Sequence, residues 1–459
     1  MAEILPPPER WDVTTDVAVI GGGACGIIAG LRAQEAGAEV LVLERDATST
    51  GSTALSSGFI PAAATRFQRA IGVEDTPELL VRDVQAKAKG GAHPGIAATV
   101  SQNVGPTLEW LTDRHGLEWI VLDGFLYPGH SVHRMHAVPE KTGTALIARL
   151  TAAAEAAGLP MAYQAHAVAL HHDGSAIVGI TIQRPDGATE TIGARAVILA
   201  CNGYGGNTDL VAAHIPEIAA APYFGHPGNT GDAVLWAEAL GAATRDLSAY
   251  QGHGSLAHPH GILITWALMM EGGIQVNALG QRFSNEHEGY SEQAVKVLAQ
   301  PGGVAWNVYD SRIHELGMGF PDYRQAQEAG AVRSGTLSEL AQAIDVPEDA
   351  LAQTLSDCAR YADGESDPFG RDFSAKPRLG TDLHAVRITG ALFHTQGGLD
   401  IDSHARVLRN DGSQIRGLYA GGGAACGVSG SRVEGYLSGN GLLTAVALGF
   451  VAGEAAATD

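Results

Sequence analysis

Three stretches of the chain share one pattern, an apolar run of strand type that ends in clustered glycines. They are DVAVIGGGACG (16–26), ARAVILACNGYGG (194–206) and IRGLYAGGGAACG (415–427). Short apolar runs bounded by turn residues are typical of buried strands. The first run continues into the helical pattern IIAGLRAQEAG and then into EVLVLE. It therefore predicts a strand, a helix and a second strand in succession.

Two other regions show different patterns. Residues 161–192 alternate polar and apolar positions around a Pro-Asp-Gly turn, which predicts a small sheet excursion. Residues 251–392 lack glycine-rich strand ends and carry helical patterns such as TLSELAQAIDVPEDALAQTLSDCARYA (336–362). We therefore expect an α/β protein in which a discontinuous Rossmann-like domain, residues 12–250 and 393–459, receives an inserted α+β domain, residues 251–392.

Composition narrows the class of protein. The 459 residues are 45% hydrophobic and can bury a sizeable core, while a net charge of −21 would repel nucleic acid and anionic membranes. The four cysteines form no CxxC pair, which indicates reduced thiols in a cytoplasmic protein without a structural metal. The N-terminus lacks the pattern of a secretory signal, and no long apolar run is free of glycine or charge, so no membrane span is expected.

The glycines after the first strand have the spacing of a dinucleotide-binding turn, Gly21-x-Gly23-x-x-Gly26. They permit a tight turn, close approach of a pyrophosphate to the backbone and packing of the helix on the strand. Glu44, at the end of EVLVLE, can accept a hydrogen bond from a ribose hydroxyl and disfavours a 2′-phosphate. This motif alone does not separate NAD from FAD.

Two further features favour FAD. Residues 49–62, STGSTALSSGFIPA, combine small hydroxyl side chains with Gly51 and Gly58, and suit a loop lying along a flavin and its diphosphate. The two other glycine-rich strand ends suit a long, extended cofactor. FAD is therefore the expected cofactor.

Several segments, in chain order, resemble the flavoprotein family of fumarate reductase, tricarballylate dehydrogenase and 3-ketosteroid dehydrogenase. They are DVAVIGGGACGIIAG, GSTALSSG, AVILACNGYGGN, GNTGDAVLWAEALGA, GGIQVNALGQRFSNE, HTQGGLDID and GLYAGGGAACG. The resemblance implies that residues 251–392 form a capping domain, and that two hydrogens are added or removed across a C–C bond next to a carbonyl or carboxylate. Members with covalent FAD use a histidine that GSTALSSGF lacks, so non-covalent FAD is implied.

The resemblance also implies which residues contact FAD. Most of them belong to the glycine-rich strand ends or to the loop at residues 49–62. They are Gly21, Gly23, Ala24, Cys25, Gly26, Glu44, Arg45, Ser52, Thr53, Ser57, Gly58, Ala167, Val168, Cys201, Asn202, Gly203, Asp232, Gly422, Gly423, Ser438, Gly441 and Leu442.

Tyrosines are the candidate catalytic residues. Abstracting a proton next to a carbonyl needs a base, donors for the developing enolate oxygen and a hydride acceptor. Tyr290, in RFSNEHEGY, resembles the tyrosine base of 3-ketosteroid dehydrogenases, where fumarate reductases carry arginine. Tyr436 and Gly441, in GYLSGNG, resemble the YPGxG segment that holds the substrate ketone, with one extra residue between them as in tricarballylate-type YPGGSG. Tyr127 is a candidate hydroxyl partner that would activate Tyr290.

A second set of residues resembles the carboxylate-binding residues of fumarate reductases. His394 in HTQGG, Arg432 in GSR and His253 in YQGHG match positions that bind the substrate. The proton-donating arginine of that family aligns near His314, so the fumarate-type proton relay is incomplete. Glu286 is either a salt-bridged structural acid or part of a proton relay.

The leading hypothesis is an FAD-dependent dehydrogenase that introduces a C=C bond α,β to the carbonyl of a cyclic ketone. The alternatives are an oxidoreductase of carboxylic acids resembling fumarate reductase or tricarballylate dehydrogenase, and a flavin-binding electron carrier. The expected partners are a small ketone or keto acid and an unknown electron acceptor. In HSVHRMH, Arg134 and His136 are expected to line the substrate pocket rather than to bind a metal.

Overall fold

The computed structural model describes residues 3–459, which divide into two compact units. Unit 1 comprises the chain up to Ile215, Gly225–Tyr250 and His394–Asp459. Unit 2 comprises Pro216–Phe224 and Gln251–Phe393. The assignment of these two units to FAD binding and to capping stays a prediction.

The secondary structure alternates strands and helices in unit 1 and mixes them in unit 2. The strands are, in chain order, β1 (Glu3–Leu5), β2 (Val13–Ile20), β3 (Val40–Leu43), β4 (Ile60–Pro61), β5 (Ile120–Val121), β6 (Met135–Ala137), β7 (Met161–Ala162), β8 (His166–His172), β9 (Ile177–Gln183), β10 (Thr189–Leu199), β11 (Thr244–Arg245), β12 (Tyr250–Ala257), β13 (Ile262–Leu263), β14 (Ile274–Val276), β15 (Val304–Asp310), β16 (Val332–Gly335), β17 (Leu383–Thr395), β18 (Gly398–Leu399), β19 (Arg406–Leu408) and β20 (Gln414–Ala420). The α-helices are α1 (Ala24–Glu35), α2 (Gly51–Leu55), α3 (Arg66–Ala70), α4 (Pro77–Lys87), α5 (Pro94–His115), α6 (Gly143–Ala156), α7 (Thr208–His214), α8 (Asp232–Leu240), α9 (Ala267–Met270), α10 (Tyr290–Leu298), α11 (Ser311–Gly317), α12 (Pro321–Glu328), α13 (Leu337–Ile344), α14 (Glu348–Ala362) and α15 (Asn440–Thr458).

A nine-stranded sheet forms the core of unit 1, in the order β1-β8-β9-β10-β2-β3-β7, with β20 beside β10 and β19 beside β20. Strands β3, β2, β10 and β20 are parallel, with Ile20 opposite Leu43 and Leu199, and Leu199 opposite Ala420. The three glycine-rich strand ends therefore meet at one edge of the sheet. The predicted α/β fold with a Rossmann-like parallel core is confirmed. The predicted excursion is present as antiparallel β8 and β9 within this sheet.

The C-terminal helix α15 packs closely on α1. A Cβ at Gly449 would lie 2.5 Å from the Cys25 carbonyl oxygen, and a Cβ at Gly453 would lie 2.3 Å from that of Ala29. Only glycine allows the two backbones to approach so closely. By length and composition α15 could cross a membrane, but 61% of its apolar window is buried inside the protein, as in a core helix.

Unit 2 is built on a six-stranded sheet in the order β13-β12-β17-β15-β14, with β16 also paired to β17. The helical pattern at residues 336–362 forms α13 and α14, and α13 begins with a capping box between Thr336 and Glu339. The segment 216–224, expected in the Rossmann-like domain, belongs to unit 2. The reason is a backbone contact that the sequence does not reveal, since the Phe224 N–H donates to the Leu392 carbonyl at 2.8 Å.

The contact between α1 and α15 can be tested with Gly453→Ala. Helix propensity alone would make this change stabilising by about 1 kcal/mol. The added methyl would instead overlap the Ala29 carbonyl, so we expect a net loss of about 1–3 kcal/mol and a lower thermal unfolding midpoint. Gly124→Ala is the control, because a Cβ there meets no atom within 4 Å. Equal midpoints for the two variants would contradict the packing described here.

Candidate active site

The first glycine-rich turn requires bare backbone at two positions. Gly21 has φ +114°, and a Cβ there would lie 2.4 Å from the Ala200 carbonyl oxygen. A Cβ at Gly26 would lie 1.8 Å from the Gly21 carbonyl oxygen, so the helix could not start so close to the strand with any other residue. Glu44 braces the turn, since its Oε2 accepts from the Gly22 N–H at 2.8 Å and its Oε1 from the Asp46 N–H at 2.9 Å.

The hydroxyl-rich loop links the first two glycine-rich strand ends. Thr53 Oγ1 accepts from the Ala24 N–H at 3.1 Å. Ser52 Oγ accepts from Asn202 Nδ2 at 2.8 Å and from Asn229 Nδ2 at 2.9 Å. Asn202 has φ +67°, a left-handed conformation that asparagine tolerates better than most residues. Sequence reasoning did not single out Asn229, although it lies in the quoted segment GNTGD.

The second strand end extends toward α8. The Gly231 N–H donates to the Gly203 carbonyl at 3.1 Å, and Asp232 then begins the helix. Burial, and then the Asp232 carboxylate, raise the pKa of the Cys201 thiol to about 12, so this thiol stays protonated. Arg45 donates through Nη1 to the Gly228 carbonyl at 2.7 Å.

The third strand end packs against the other two. The Gly421 N–H donates to the Leu199 carbonyl at 3.0 Å. Gly422 has φ +57°, and a Cβ at Gly423 would lie 2.1 Å from Asn202 Oδ1. The structure thus brings together the predicted FAD contacts of all three strand ends within unit 1.

The remaining predicted FAD contacts lie at the margins of these strand ends. Gly58, with φ +74°, follows Ser57 in the hydroxyl-rich loop, and Ala167 and Val168 lie where the register of β8 shifts against β9. Ser438 and Leu442 flank the start of α15.

Polar groups without protein partners show that these residues fit a dinucleotide. Ser49 Oγ is buried and has no hydrogen-bond partner among residues 3–459. A Cβ at Gly23 would meet nothing closer than Thr53 Oγ1 at 3.5 Å, so the backbone there is open. The first-turn N–H groups of Cys25 and Gly26 have no partner within the helix. Neutral donors at a helix N-terminus suit a diphosphate, and FAD would be held by these groups.

His394, Tyr436 and Gly441 lie together in unit 1. The His394 and Tyr436 rings meet edge to face, with their centroids 5.7 Å apart. A Cβ at position 441 would lie 2.8 Å from His394 Nε2, so glycine is what lets the imidazole approach the start of α15. Burial lowers the pKa of His394 to about 4, so the ring is neutral at pH 7.

The predicted substrate residue Arg432 and the predicted hydroxyl partner of Tyr290, Tyr127, have different surroundings. Arg432 is exposed and forms no salt bridge with any residue in the range 3–459. Tyr127 is half-buried among Phe59 and Phe125, with ring centroids at 6.0 and 4.4 Å. Both lie in unit 1, whereas Tyr290 lies in unit 2.

The prediction that Arg134 binds the substrate is contradicted by the ion pairs that its side chain forms. Its side chain is fully buried, with Nε 3.0 Å from Asp75 and Nη1 2.7 Å from Asp83. His136 is also buried, between Thr65 Oγ1 at 2.8 Å and the Arg134 carbonyl at 2.9 Å. A guanidinium whose donors face two carboxylates stabilises the core and does not receive a substrate.

In unit 2, His253 stacks with two aromatic rings. Its ring centroid lies 4.8 Å from that of Tyr290, with the planes 24° apart, and 5.1 Å from that of Phe393, with the planes 23° apart. Burial lowers the pKa of His253 to about 3. Its Nδ1 accepts from the Ser255 N–H at 3.2 Å, which leaves the proton of the neutral ring on Nε2. Trp266 stands edge-on to His253, with ring centroids 5.7 Å apart.

The sequence allowed two roles for Glu286, a structural acid or part of a proton relay, and its contacts are those of a structural acid. Its Oε2 accepts from Arg282 Nη2 at 2.8 Å and Arg371 Nη1 at 2.9 Å, and its Oε1 from the Gln275 N–H at 3.0 Å. Burial by itself would raise the pKa of Glu286, but the Arg371 and Arg282 guanidinium groups outweigh it and lower the pKa to about 2. The carboxylate is therefore held ionised.

A sheet whose parallel core carries three glycine-rich strand ends beside a helix N-terminus is typical of a dinucleotide-binding protein. Contact between Glu44 and a ribose stays a prediction. The profile of a family described as "FAD binding domain" (FAD_binding_2) matches residues 16–442. The chain belongs to this family.

Relatives and solved structures narrow the class of enzyme. The chain is 29% identical to "Probable fumarate reductase Ifc3" of Shewanella frigidimarina, over 97% of the chain and 75% of that protein. It is 26% identical to "4-oxocyclohexanecarboxylate 2-dehydrogenase" of Sinomonas cyclohexanicum, over 97% and 95% of the two chains.

Two solved structures have closely similar folds. An open conformation of a flavocytochrome c3 fumarate reductase superposes with a TM-score of 0.82 at 28% identity, covering 97% of this chain and 78% of that one. The 3-ketosteroid-Δ4-(5α)-dehydrogenase of Rhodococcus jostii RHA1, in complex with 4-androstene-3,17-dione, superposes with a TM-score of 0.79 at 26% identity over the whole of both chains. The chain is thus a flavin-dependent oxidoreductase acting on CH–CH groups, with FAD as cofactor. Non-covalent attachment stays a prediction.

The Glu286 cluster gives a prediction about stability and pH. A carboxyl whose pKa falls from its ordinary 4.5 to about 2 on folding stabilises the protein above pH 4.5 and loses that contribution as pH falls to about 2. Glu286→Gln should lower the free energy of unfolding by about 3–5 kcal/mol at pH 7, because Arg371 and Arg282 lose their counter-charge. Urea unfolding should show this deficit shrink between pH 4.5 and 3. The exposed Glu315→Gln is the control, and a pH-independent deficit would contradict the assignment.

Proposed function

We propose that the protein is an FAD-dependent dehydrogenase that introduces a C=C bond α,β to the carbonyl of a cyclic ketone. The observation that carries the proposal is the surroundings of His253 and His394. His253 is buried and His394 is half-buried, and both imidazoles are neutral at pH 7, with pKa values of about 3 and 4. A neutral N–H suits a carbonyl oxygen, whereas a carboxylate would be bound more strongly by a charged donor.

The proposed roles follow the chemistry of an acidic α C–H bond. Tyr290 takes the α proton, and Tyr436 and the Gly441 N–H donate to the carbonyl oxygen as it becomes enolate-like. Bound FAD supplies the two-electron acceptor for the hydride that leaves the β carbon. Tyr290 is the first residue of α10, where the positive end of the helix favours the negative charge that a phenolate base carries.

Relatives that act on carboxylic acids and relatives that act on ketones both support a flavin-dependent oxidoreductase. Two of these relatives support a ketone as the substrate. Fumarate reductases fit the alternative, an oxidoreductase of carboxylic acids, equally well by overall similarity. The 4-oxocyclohexanecarboxylate and 3-ketosteroid dehydrogenases have names that specify a cyclic ketone. A cyclic ketone that also carries a carboxylate would be compatible with the exposed Arg432. The cytoplasmic location stays a prediction.

Reduction of the flavin identifies the substrate class directly. The FAD-loaded protein is mixed anaerobically with saturated cyclic ketones, with and without a carboxylate, and with succinate and tricarballylate. We expect the ketones to bleach the flavin absorbance band. Bleaching by the acids alone would replace the ketone with the alternative reaction.

The base assignment is tested with Tyr290→Phe. Loss of a general base lowers turnover by about 10²- to 10⁴-fold, so the rate of flavin bleaching by the best ketone should fall by that factor in stopped-flow measurements. Tyr361→Phe, which alters another half-buried tyrosine of unit 2, is the control and should react at the wild-type rate. An unchanged rate in Tyr290→Phe would remove the base assignment.

Arg432 separates the two kinds of substrate. Arg432→Ala should leave the KM for a ketone without a carboxylate unchanged, and should raise the KM for a keto acid about 10-fold or more, because one charge-assisted hydrogen bond is lost. Steady-state kinetics with the two ketones measure this difference. A KM that rises equally for both would show that Arg432 does not meet a carboxylate.

A further inference from the structure

A chain of buried polar side chains runs behind His394 in unit 1. Gln396 Nε2 lies 2.9 Å from His394 Nδ1, and Gln396 Oε1 accepts from Ser429 Oγ at 2.8 Å. Asn440 Nδ2 in turn donates to Ser429 Oγ at 3.1 Å. Gln396, Ser429 and Asn440 are all at most 5% exposed. The four side chains form one continuous hydrogen-bonded row that ends on the imidazole.

The direction of the hydrogen bonds in this row decides the tautomer of His394. If Asn440 donates to Ser429, Ser429 to Gln396 and Gln396 to His394, then Nδ1 accepts and the proton lies on Nε2. If every bond runs the other way, Nδ1 carries the proton and Nε2 becomes an acceptor. The orientation of the Gln396 amide therefore decides whether His394 Nε2 is a hydrogen-bond donor or an acceptor.

The buried end of the row favours the first direction. In that direction the atom left without a partner among residues 3–459 is the Asn440 Oδ1 acceptor. In the reverse direction the amide group of Asn440 would be turned round, and a buried NH₂ group with two donors would be left unpaired. Buried donors without partners are rarer in proteins than under-satisfied acceptors. The Thr395 carbonyl, 3.2 Å from Nδ1, is the competing acceptor that Gln396 must outweigh.

The far side of the ring faces the start of α15. His394 Nε2 and Cε1 both lie 2.8 Å from the position that a Cβ of residue 441 would occupy. The tautomer with the proton on Nε2 thus presents an N–H beside the Gly441 backbone. The function proposed above places the Gly441 N–H on the carbonyl oxygen, and the Nε2–H of His394 would add a further donor at the same point.

We propose that Gln396 is a positioning residue that fixes His394 as an Nε2–H donor, and that it thereby selects a substrate with an acceptor oxygen at this point. This inference rests on the proposed function for the substrate's identity, but the tautomer of His394 can be read without any substrate.

The first test is the tautomer itself. FAD-loaded protein is labelled with ¹⁵N-histidine, and the His394 resonances are assigned by their loss in His394→Asn. At pH 7 we expect a protonated Nε2 and an unprotonated Nδ1. In Gln396→Glu the added side-chain oxygen only accepts when ionised, so the proton should move to Nδ1. Wild-type protein with the proton on Nδ1 would overturn the proposal.

The second test is kinetic and uses a variant that keeps the size of the side chain. Gln396→Met should lower kcat and kcat/KM together by about 10- to 100-fold with a ketone, because a donor to the developing enolate oxygen is lost. Ser429→Ala, which frees the Gln396 amide to turn, should show a smaller loss and a mixture of tautomers. The exposed Gln414→Met is the control and should match wild type.

The outcomes separate this inference from the proposed function. Wild-type kinetics in Gln396→Met, with Tyr290→Phe inactive, would overturn the positioning role and leave the ketone reaction standing. No bleaching of the wild-type flavin by any ketone would overturn the proposed function. The NMR result would then still decide whether Gln396 sets the tautomer.

Discussion

The close approach of three strand ends to one another is the constraint on which unit 1 depends. At Gly21 and Gly423 a single methyl group would overlap Ala200 or Asn202, with distances of 2.4 and 2.1 Å to the nearest atoms. Because the strands β2, β10 and β20 end in register, three loops must pass through a space that admits only bare backbone. That crowding favours backbone N–H groups over side chains at the predicted FAD contacts. The start of α1 is fixed by the same turn.

The protein as a whole is strongly charged, whereas most groups at its candidate sites are neutral. The protein carries a net charge of −21, yet most of the groups predicted to contact FAD and the substrate are neutral backbone amides, hydroxyls and imidazoles. Burial keeps the imidazoles of His253 and His394 neutral, since it lowers their pKa values to about 3 and 4. Arg134 with its two aspartates, and Glu286 with Arg282 and Arg371, form buried clusters in which opposite charges pair.

The features that could be predicted from sequence are those with local causes. The spacing of Gly21, Gly23 and Gly26 reflects one turn, so the pattern predicted the strand, the helix and a dinucleotide cofactor. The choice of FAD over NAD needed the hydroxyl-rich loop and the other two glycine-rich strand ends. Arg134 was assigned wrongly, because its partners Asp75 and Asp83 lie about fifty residues or more away in the chain. No sequence feature near Arg134 indicates these two partners. Segment 216–224 was misplaced for the same reason. The Gln396 row was missed, since its members come from three separate stretches. The roles of Tyr290 and Tyr436 stay predictions.

The surroundings of Glu286 constrain how a proton could leave the site. Tyr290 lies four residues after Glu286, so a proton relay between the two side chains is conceivable from the sequence. Both oxygens of Glu286 are already occupied by Arg282, Arg371 and the Gln275 N–H, and its pKa is about 2. A carboxylate held this firmly in its ionised form cannot take a proton from a phenol at neutral pH. If Tyr290 is the base, as proposed, the proton that it accepts must leave by a route that does not include Glu286.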